Sequence, residues 1–349
     1  MKIAGAASAL PSHCYPQAAV LQAFKAYWGP RLENPRMLDR LWANCGVDQR
    51  YFVRPLEAYL GIDTWGKANN IWIEEALELG STAVCRALAK AGREVSDIGA
   101  MFFVSVTGVA SPSIDARLVN KMKLPLNMKR IPIFGLGCVG GAAGIARAAD
   151  YVRAFPDQIA VLLSVELCSL TLQRDDLSIA NQISAALFAD GAGAVVVAGD
   201  NVPSDGPQIV DTRSSFYPET ERVMGWEISE QGFSIVLSPE VPEVIERHLG
   251  GDTDSFLAGH GLTRADIGCW VLHTGGPKVL RATETALGIP ESAIAASWET
   301  LRRTGNLSSA SVLLVLEEIM NHRRPEPGTW SILAAMGPGF CAELVLLRW

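Results

Sequence analysis

A pattern that recurs at about half the length of the chain constrains its fold more than any other feature. Asp97-Ile98-Gly99 opens an apolar run that leads to Thr107-Gly108, and Asp266-Ile267-Gly268 opens a second run that leads to Thr274-Gly275, 169 positions later. Solenoid repeats return every few tens of residues. A period this long therefore indicates two fused, similar units.

Two further pairs of segments recur at nearly the same spacing. Gly137-Cys138 and Gly305-Asn306 each precede small and apolar residues typical of a helix, over 139–149 and 307–316. The remaining pair consists of the strand-like runs Ile159–Ser164 and Trp330–Ala335. If the two units pack face to face, Cys138 and Asn306 are brought toward one site at their junction.

The apolar runs and the segments between them indicate an α/β fold. Continuous rather than alternating apolar runs are typical of parallel strands covered on both faces. Helix-like segments such as Trp72–Ala89 and Pro242–His248 separate them. Turn-forming residues over Gly199–Pro207 mark a linker, so we predict an N-terminal half over residues 1–200 and a C-terminal half over residues 201–349.

Charge and cysteine usage exclude several classes of protein. A net charge of −7 argues against a dedicated nucleic-acid binder. The seven cysteines include no Cys-x-x-Cys pair, which argues against a zinc site or a disulfide framework. With no signal peptide and no apolar stretch of membrane-spanning length, we expect a soluble, cytoplasmic protein with no membrane span.

Cys138 is the candidate nucleophile. A sharp turn from a strand into a helix would place its thiol at the helix N-terminus, where the dipole favours a thiolate and is expected to lower the pKa of the thiol. The alternative is a small buried hydrophobic side chain, the usual role of a free cysteine.

His273 and Asn306 are the candidate partners of this thiol. His273 ends the strand-like run Cys269–Leu272, and catalytic groups of open α/β sheets collect at such strand ends. It could accept the thiol proton or be held as imidazolium beside a thiolate, or it could be a hydrogen-bonded loop histidine. Asn306 could donate an amide N–H to an oxyanion or enolate, or simply cap a helix.

Six short motifs, in the same order across most of the chain, connect these residues to a known family. They are Gly137-Cys138-Val139-Gly140-Gly141, Val165-Glu166-Leu167-Cys168-Ser169, Leu187-Phe188-Ala189-Asp190-Gly191-Ala192, His273-Thr274-Gly275-Gly276-Pro277, Gly305-Asn306-Leu307-Ser308-Ser309-Ala310 and Gly337-Pro338-Gly339-Phe340. With this set, the sequence resembles the type III polyketide synthases, the chalcone-synthase-like branch of the thiolase superfamily.

The resemblance implies a thiolase-like αβαβα fold, a homodimer and a Cys-His-Asn triad. Cys138 would take a starter acyl group from its CoA thioester, and His273 and Asn306 would stabilise the enolate that malonyl-CoA leaves on decarboxylation. That enolate would extend the acyl chain by Claisen condensation before the chain cyclises to a pyrone or phenolic product of secondary metabolism. The substrates would be malonyl-CoA and an acyl-CoA, with no further cofactor and no metal.

The resemblance also implies roles for residues around the triad. Phe188 matches a phenylalanine between the CoA tunnel and the condensation cavity, and Ile235 falls where plant enzymes carry a second gate phenylalanine. Arg50 matches a basic residue that contacts the CoA phosphates, with Arg54 and Lys278 as neighbours that could equally be solvated surface charges. The remaining matches to substrate-binding positions are Thr171, Ser308, Gly337 and Pro338.

The sequence departs from plant members at two positions of the cavity. Val106 falls where plant enzymes have threonine, and Ser111 replaces a methionine that reaches across the dimer. The segments 46–51 and 54–59 look more like bacterial members, which either extend long-chain acyl starters or build phloroglucinol or tetrahydroxynaphthalene from malonyl units alone. We favour an acyl starter, while the sequence leaves open its identity, the number of extensions, the mode of closure and delivery by a carrier protein.

Three other functions fit part of the pattern. A ketoacyl-ACP synthase III shares the fold and the triad, but it would typically carry His-Gln-Ala-Asn where this chain has His273-Thr274-Gly275-Gly276. A papain-like protease has the same chain order of Cys, His and Asn but lacks duplicated halves. A non-catalytic acyl-binding scaffold would be expected to have lost a member of the triad.

Overall fold

The computed structural model describes residues 1–349, in which strands and helices alternate along the chain. The strands are β1 (Lys2–Ala9), β2 (His13–Pro16), β3 (Gln49–Phe52), β4 (Ile98–Val104), β5 (Lys129–Ile133), β6 (Ile159–Leu167), β7 (Asp190–Ala198), β8 (Gln208–Phe216), β9 (Met224–Ser229), β10 (Gly232–Leu237), β11 (Ile267–Leu272), β12 (Trp330–Gly337) and β13 (Cys341–Arg348). The α-helices are α1 (Gln17–Trp28), α2 (Arg36–Ala43), α3 (Trp65–Ala91), α4 (Ile114–Met122), α5 (Gly140–Ala154), α6 (Ile179–Leu187), α7 (Val241–Ala258), α8 (Pro277–Leu287), α9 (Ala295–Thr304) and α10 (Ser311–His322).

The strands form two blocks with the same order and directions. In the first block, β5, β4 and β6 run parallel to one another. Strand β7 pairs antiparallel with β6, and β1 pairs antiparallel with β7. In the second block, β11 and β12 run parallel. Strand β13 pairs antiparallel with β12, and β8 pairs antiparallel with β13. Strands β4, β6, β7 and β1 thus correspond to β11, β12, β13 and β8, which confirms the internal repeat.

The repeated Asp-Ile-Gly motif has the same structural role in both halves. Asp97 and Asp266 each complete a capping box at a short 3₁₀ turn, accepting from the backbone N–H of Glu94 and of Thr263 respectively. The glycine that follows lies where the register of β4 or β11 shifts against its parallel neighbour. A Cβ at Gly268 of β11 would lie 2.7 Å from the side chain of Thr329, which precedes β12. The close approach of this loop therefore favours glycine at position 268.

The two blocks are separate layers of a five-layer αβαβα arrangement. Along β4, Met101 and Phe103 face an outer layer that contains α3 and α4, whereas Phe102 and Val104 face a central layer that contains α5 and α10. The second block covers the other side of this central layer, and its outer face packs against α7 and α8. This arrangement confirms the predicted thiolase-like fold.

The blocks meet at the edge strands β1 and β8, through the single residue pair Lys2 and Gln208. The turn-rich segment 199–207 connects β7 to β8, where the sequence predicted a linker. No helix is both long and apolar enough to cross a membrane.

Candidate active site

One cavity at the junction of the halves brings together the three residues that the sequence singled out. Cys138 lies in the turn that leads into α5, Asn306 precedes α10, and His273 follows β11. All three line a cavity of about 60 Å³, together with apolar side chains from α7, α8, β10 and β12. The equivalent turns of the two halves therefore face each other across this cavity.

Glycines allow the turn that carries Cys138 to pack tightly. Gly137 has a φ of +54°, in the left-handed region, and a Cβ there would lie 2.6 Å from the Pro338 ring. A Cβ at Gly337 would lie 2.7 Å from the backbone nitrogen of Val139. The structure thus places Gly337 and Pro338 behind the nucleophile turn, as support for it, and not in the cavity wall.

Burial keeps the Cys138 thiol protonated. The residue is 5% exposed, and its Sγ lies 3.7 Å from the Ser308 Oγ. Burial raises the pKa of the thiol to about 12, with the Ser308 hydrogen bond opposing and the charge of Glu166 adding to the rise. The direction is opposite to the lowering expected for a thiol at a helix N-terminus, and desolvation of the buried thiol is its largest cause.

His273 is a neutral imidazole without a partner. Its backbone N–H donates to the Ala334 carbonyl at 3.1 Å, which extends the β11–β12 pairing. Neither ring nitrogen makes a hydrogen bond, although both are buried. Burial lowers the pKa of the ring to about 4, so its nitrogens are one donor and one acceptor at neutral pH.

The Asn306 side chain is held in its turn by hydrogen bonds to its oxygen, while its amide nitrogen makes no hydrogen bond. Its Oδ1 accepts from the backbone N–H of Ser308 at 2.8 Å and from the Ser311 hydroxyl at 3.3 Å. Its backbone pairs with the segment around Phe188, donating to the Leu187 carbonyl at 2.9 Å. The side chain therefore caps the turn through its oxygen and keeps two N–H donors on its nitrogen. The two roles considered from the sequence, a helix cap and a donor to an oxyanion or enolate, are thus compatible.

Glu166 is a site residue that sequence reasoning did not single out. It is fully buried at the end of β6 and accepts from Thr107 Oγ1 at 2.9 Å, the backbone N–H of Val106 at 3.1 Å, Ser105 Oγ at 3.2 Å and Ser309 Oγ. Burial raises the pKa of this carboxyl to about 7. Two signals in the sequence could have found it: its place in the motif Val165-Glu166-Leu167-Cys168-Ser169 and its charge inside the apolar run 159–167.

The predicted substrate-binding residues divide among several places. Phe188 lines the catalytic cavity and also a second one. Thr171 lines the second cavity but not the catalytic one, and it donates to the Cys168 carbonyl at 2.8 Å. Ser308 contacts the nucleophile. Ile235 lies in β10 opposite Trp226 of β9 and lines neither cavity.

The three basic residues predicted to contact CoA differ in burial and in their partners. Arg50 is 1% exposed and donates to backbone carbonyls, and Arg54 pairs with Glu74 and Glu75. Neither is a free surface cation of the kind that the resemblance implied. Lys278 is exposed in the first turn of α8, next to the cavity residue Val279, and pairs with no carboxylate.

The second cavity, of about 490 Å³, lies between α1, β3 and α6. Apolar side chains form most of its wall, and Arg50, Cys168 and Phe188 lie at its inner end. Its outer rim includes the exposed Leu60. The residues of the apolar wall include Phe24, Tyr27, Phe52, Leu56 and Leu172.

Comparison with protein families matches nearly the whole chain. Residues 3–201 match the chalcone and stilbene synthase N-terminal domain, and residues 208–349 match the C-terminal domain of the same family. A 1,3,6,8-tetrahydroxynaphthalene synthase of Streptomyces peucetius subsp. caesius is 48% identical over 99% of this chain and 93% of its own length. A phloroglucinol synthase of Pseudomonas fluorescens is 31% identical over 97% of this chain and 98% of its own length.

Solved structures agree with these matches. The crystal structure of 1,3,6,8-tetrahydroxynaphthalene synthase from Streptomyces coelicolor A3(2), a bacterial type III polyketide synthase, superposes with a TM-score of 0.93 at 30% identity. The match covers 100% of this chain and 99% of that one.

Proposed function

The chain belongs to the chalcone and stilbene synthase family, and on that premise we propose that Cys138, His273 and Asn306 carry out its reaction. It is a type III polyketide synthase, an acyltransferase that works by decarboxylative condensation, as the sequence predicted. The observation that carries the assignment of roles is the convergence of these three side chains on one cavity, with unused hydrogen-bonding groups on His273 and Asn306.

The first step is transfer of the starter acyl group to Cys138. Because thiol and imidazole are both neutral in the free enzyme, the proton moves from Sγ to a ring nitrogen of His273 as sulfur attacks the thioester carbonyl. The bond between the carbonyl carbon and the CoA sulfur breaks, and the imidazolium returns the proton to the departing CoA thiolate. His273 is then neutral again for the next step.

The second step is decarboxylation of malonyl-CoA. The bond to the carboxylate carbon breaks, CO₂ leaves, and the electron pair stays on the thioester as an enolate. A neutral His273 donates one N–H to the enolate oxygen and Asn306 Nδ2 donates another, which stabilises the charge in a site screened from water. The enolate carbon then attacks the acyl group on Cys138, forming the new carbon–carbon bond and releasing the thiolate.

We propose malonyl-CoA as starter and extender, with tetrahydroxynaphthalene as the product class. The 48% identity over 99% of the chain to a synthase named for that product supports this proposal. It replaces the acyl starter that the sequence favoured.

The remaining assignments are proposals with narrower support. Exposed and unpaired beside the catalytic cavity, Lys278 suits a CoA phosphate. All seven cysteines are free, which supports a cytoplasmic location. We also propose a homodimer, which the exposed apolar side chains of Val109 and Phe134 support.

The roles are tested by incubating the enzyme with malonyl-CoA alone and measuring CO₂, free CoA and the mass of the intact protein. We expect release of both and an acyl group on Cys138. Cys138→Ala should form no acyl-enzyme while its circular dichroism is unchanged, and Cys269→Ala should behave as wild type. Acylation of the Cys138→Ala variant, or no release by wild type with any acyl-CoA starter, would contradict the assignment.

A further inference from the structure

Arg50 is a buried cation with an unused hydrogen-bond donor. Its Nε donates to Gln17 Oε1 at 2.9 Å, and its Nη1 donates to the carbonyls of Ala185 at 2.6 Å and Phe188 at 2.8 Å. Its Nη2 has no partner, although the residue lines the second cavity and is 1% exposed. A buried donor left unpaired costs free energy, so a ligand acceptor there would be favoured.

No carboxylate is hydrogen-bonded to this guanidinium. Asp190 acts on it through its charge, but its oxygens accept from Ser169 N at 2.8 Å, Ser169 Oγ at 2.5 Å and Val53 N at 2.9 Å. Burial lowers the pKa of Arg50 to about 10, so it is charged at neutral pH. The cavity is therefore lined by a charged guanidinium that has one unpaired N–H donor, with the Asp190 carboxyl near it.

The other charged groups of the cavity lie at its outer part. Glu57 is exposed, and Arg174 is partly exposed with its Nη1 bound to the Leu60 carbonyl at 3.1 Å. These two opposite charges leave the rim without a strong preference for anions. Arg50 is therefore the buried cation of this cavity, whereas Arg174 is the cation of its rim.

The second cavity adjoins the site at Cys138. Phe188 lines both cavities, and the Arg50 guanidinium donates to its backbone carbonyl at 2.8 Å, so the cation lies next to the residue that the two cavities share. The Arg50 stem also packs under the turn of Asn306, since a Cβ at Gly305 would lie 3.2 Å from Arg50 Cγ. A chain attached to Cys138 would have to pass the Phe188 side chain to reach the second cavity and this cation.

We propose that the second cavity receives the distal end of the acyl chain carried by Cys138, and that Arg50 binds a carboxylate at that end. The ligand class is a dicarboxylic acyl group, such as a malonyl starter that keeps its carboxylate while the chain is extended. This inference rests on the proposed role of Cys138 as the acyl carrier. The apolar wall contacts the chain, and the guanidinium pairs with its terminus.

The same geometry explains how one carboxylate survives beside a site that removes another. Decarboxylation moves an electron pair from a carboxylate onto the thioester, so a cation that holds the carboxylate charge opposes it. The extender's carboxylate lies against the apolar wall around His273, whereas the starter's is held by Arg50. The starter's carboxylate, which is retained, and the extender's carboxylate, which leaves as CO₂, are thereby held in different cavities.

The first test uses wild-type enzyme and matched acyl groups. Loading of Cys138 is measured by intact-protein mass spectrometry with succinyl-, glutaryl- and adipoyl-CoA against butyryl-, pentanoyl- and hexanoyl-CoA. One charge-assisted hydrogen bond predicts that at least one diacid loads about tenfold to a hundredfold faster than its monoacid partner. If no diacid is preferred at any length, the proposal is wrong.

The second test removes the cation. Arg50→Met should abolish the diacid preference while monoacids still load, and Arg174→Met, which removes a guanidinium from the rim, should keep it. Preference retained in Arg50→Met would overturn the role of Arg50. Should this variant fail to fold, because it also loses the bonds to Ala185 and Phe188, the wild-type comparison still decides the matter.

The third test fills the cavity without touching Arg50. Ser184 of α6 lines it, so Ser184→Phe should shift the products made from malonyl-CoA to shorter chains, whereas Ile179→Phe on the exposed side of the helix should not. An unchanged product spectrum in Ser184→Phe would overturn the placement of the chain. If wild type neither loads any acyl group nor releases CO₂, the proposed function itself fails; normal turnover without diacid preference defeats only this inference.

Discussion

At the scale of single residues, Glu166 joins the two halves of the site through hydrogen bonds. It accepts from Ser105, Val106 and Thr107 of the first half and from Ser309 of the second half, which follows Ser308, the residue in contact with Cys138. Its pKa is raised to about 7 by burial, from an ordinary value of 4.5. Titration of this one group should therefore be visible in the stability of the whole protein.

We predict that Glu166→Gln removes a pH dependence of stability. Between the unfolded and folded pKa values the native state binds more protons than the unfolded state, so this group lowers stability as pH rises through that window. Relative to the variant, wild type should lose about 3 kcal/mol in unfolding free energy between about pH 4.5 and pH 7. Denaturant titrations of both proteins, with Glu227→Gln as surface control, measure the difference. A constant difference across this range would contradict a proton on Glu166.

We predict that Asn306→Ala suppresses decarboxylation far more than acyl loading. The amide nitrogen is a donor to the enolate, and loss of one such donor costs roughly a hundredfold to a thousandfold in rate. Loading, which depends on Cys138 and His273, should fall by no more than about tenfold. Release of labelled CO₂ and the rate of acyl-enzyme formation separate the two.

The control for this prediction is Ser311→Ala, which removes the bonds of this hydroxyl to Asn306 Oδ1 and to the backbone N–H of Leu307 and keeps the Asn306 amide nitrogen. It should affect both steps little. Equal losses of loading and decarboxylation in Asn306→Ala would show that the residue only caps its turn.

At the scale of elements, the repeated capping boxes make the start of β4 and of β11 equivalent. Asp97 and Asp266 make the same bonds at corresponding places in two different halves. We predict that Asp97→Ala and Asp266→Ala each lower the unfolding free energy by about 1 kcal/mol. Since the sites are far apart in the repeat, the double variant should lose their sum to within about 0.5 kcal/mol.

Chemical denaturation measures these losses, with Asp205→Ala in the linker as a control that should cost little. A loss at one aspartate only would mean that the two motifs are alike in sequence but not in structural role. Strong non-additivity would show that the halves communicate through these turns.

The elements most accessible to sequence reasoning were those with a local pattern. The helices expected over 72–89 and 242–248 are present as α3 and α7 with longer bounds, and the strands expected over 159–164 and 330–335 are present as β6 and β12. Apolar periodicity and repeated turns specify such elements through neighbouring residues. The second half has no counterpart of β5, a difference that the repeat did not reveal.

Properties set by long-range packing were not accessible in this way. The resemblance implied that Arg50 contacts the CoA phosphates, but its guanidinium is buried and donates to carbonyls more than 130 positions away. The Cys138 pKa was expected to fall because the helix was visible in the sequence and the burial was not. In both cases desolvation by distant segments decides the outcome.

At the scale of the molecule, apolar side chains remain exposed at the outer edge of the first block. Val109 and Phe134 follow β4 and β5, which are adjacent parallel strands, so both lie at the same end of the sheet. They are 38% and 50% exposed. Because β5 is the outermost strand, this corner is a suitable place for a second copy of the chain to pack.

We predict that wild type is a dimer and that Phe134→Asp weakens the dimer by at least about thirtyfold, since a charge would be buried in place of an aromatic anchor. Val109→Asp should act in the same direction. Leu126→Asp, at the other end of β5 and with Leu126 94% exposed, is the matched control and should leave association unchanged. Sedimentation velocity gives the dissociation constant, and the melting temperature should rise with protein concentration only where the dimer forms. A wild-type protein that is monomeric at all concentrations would contradict the dimer. Equal effects at Phe134 and Leu126 would place the interface elsewhere. Loss of association at Phe134 and Val109 but not at Leu126 would locate the interface beside the loop that carries Val106 and Ser111.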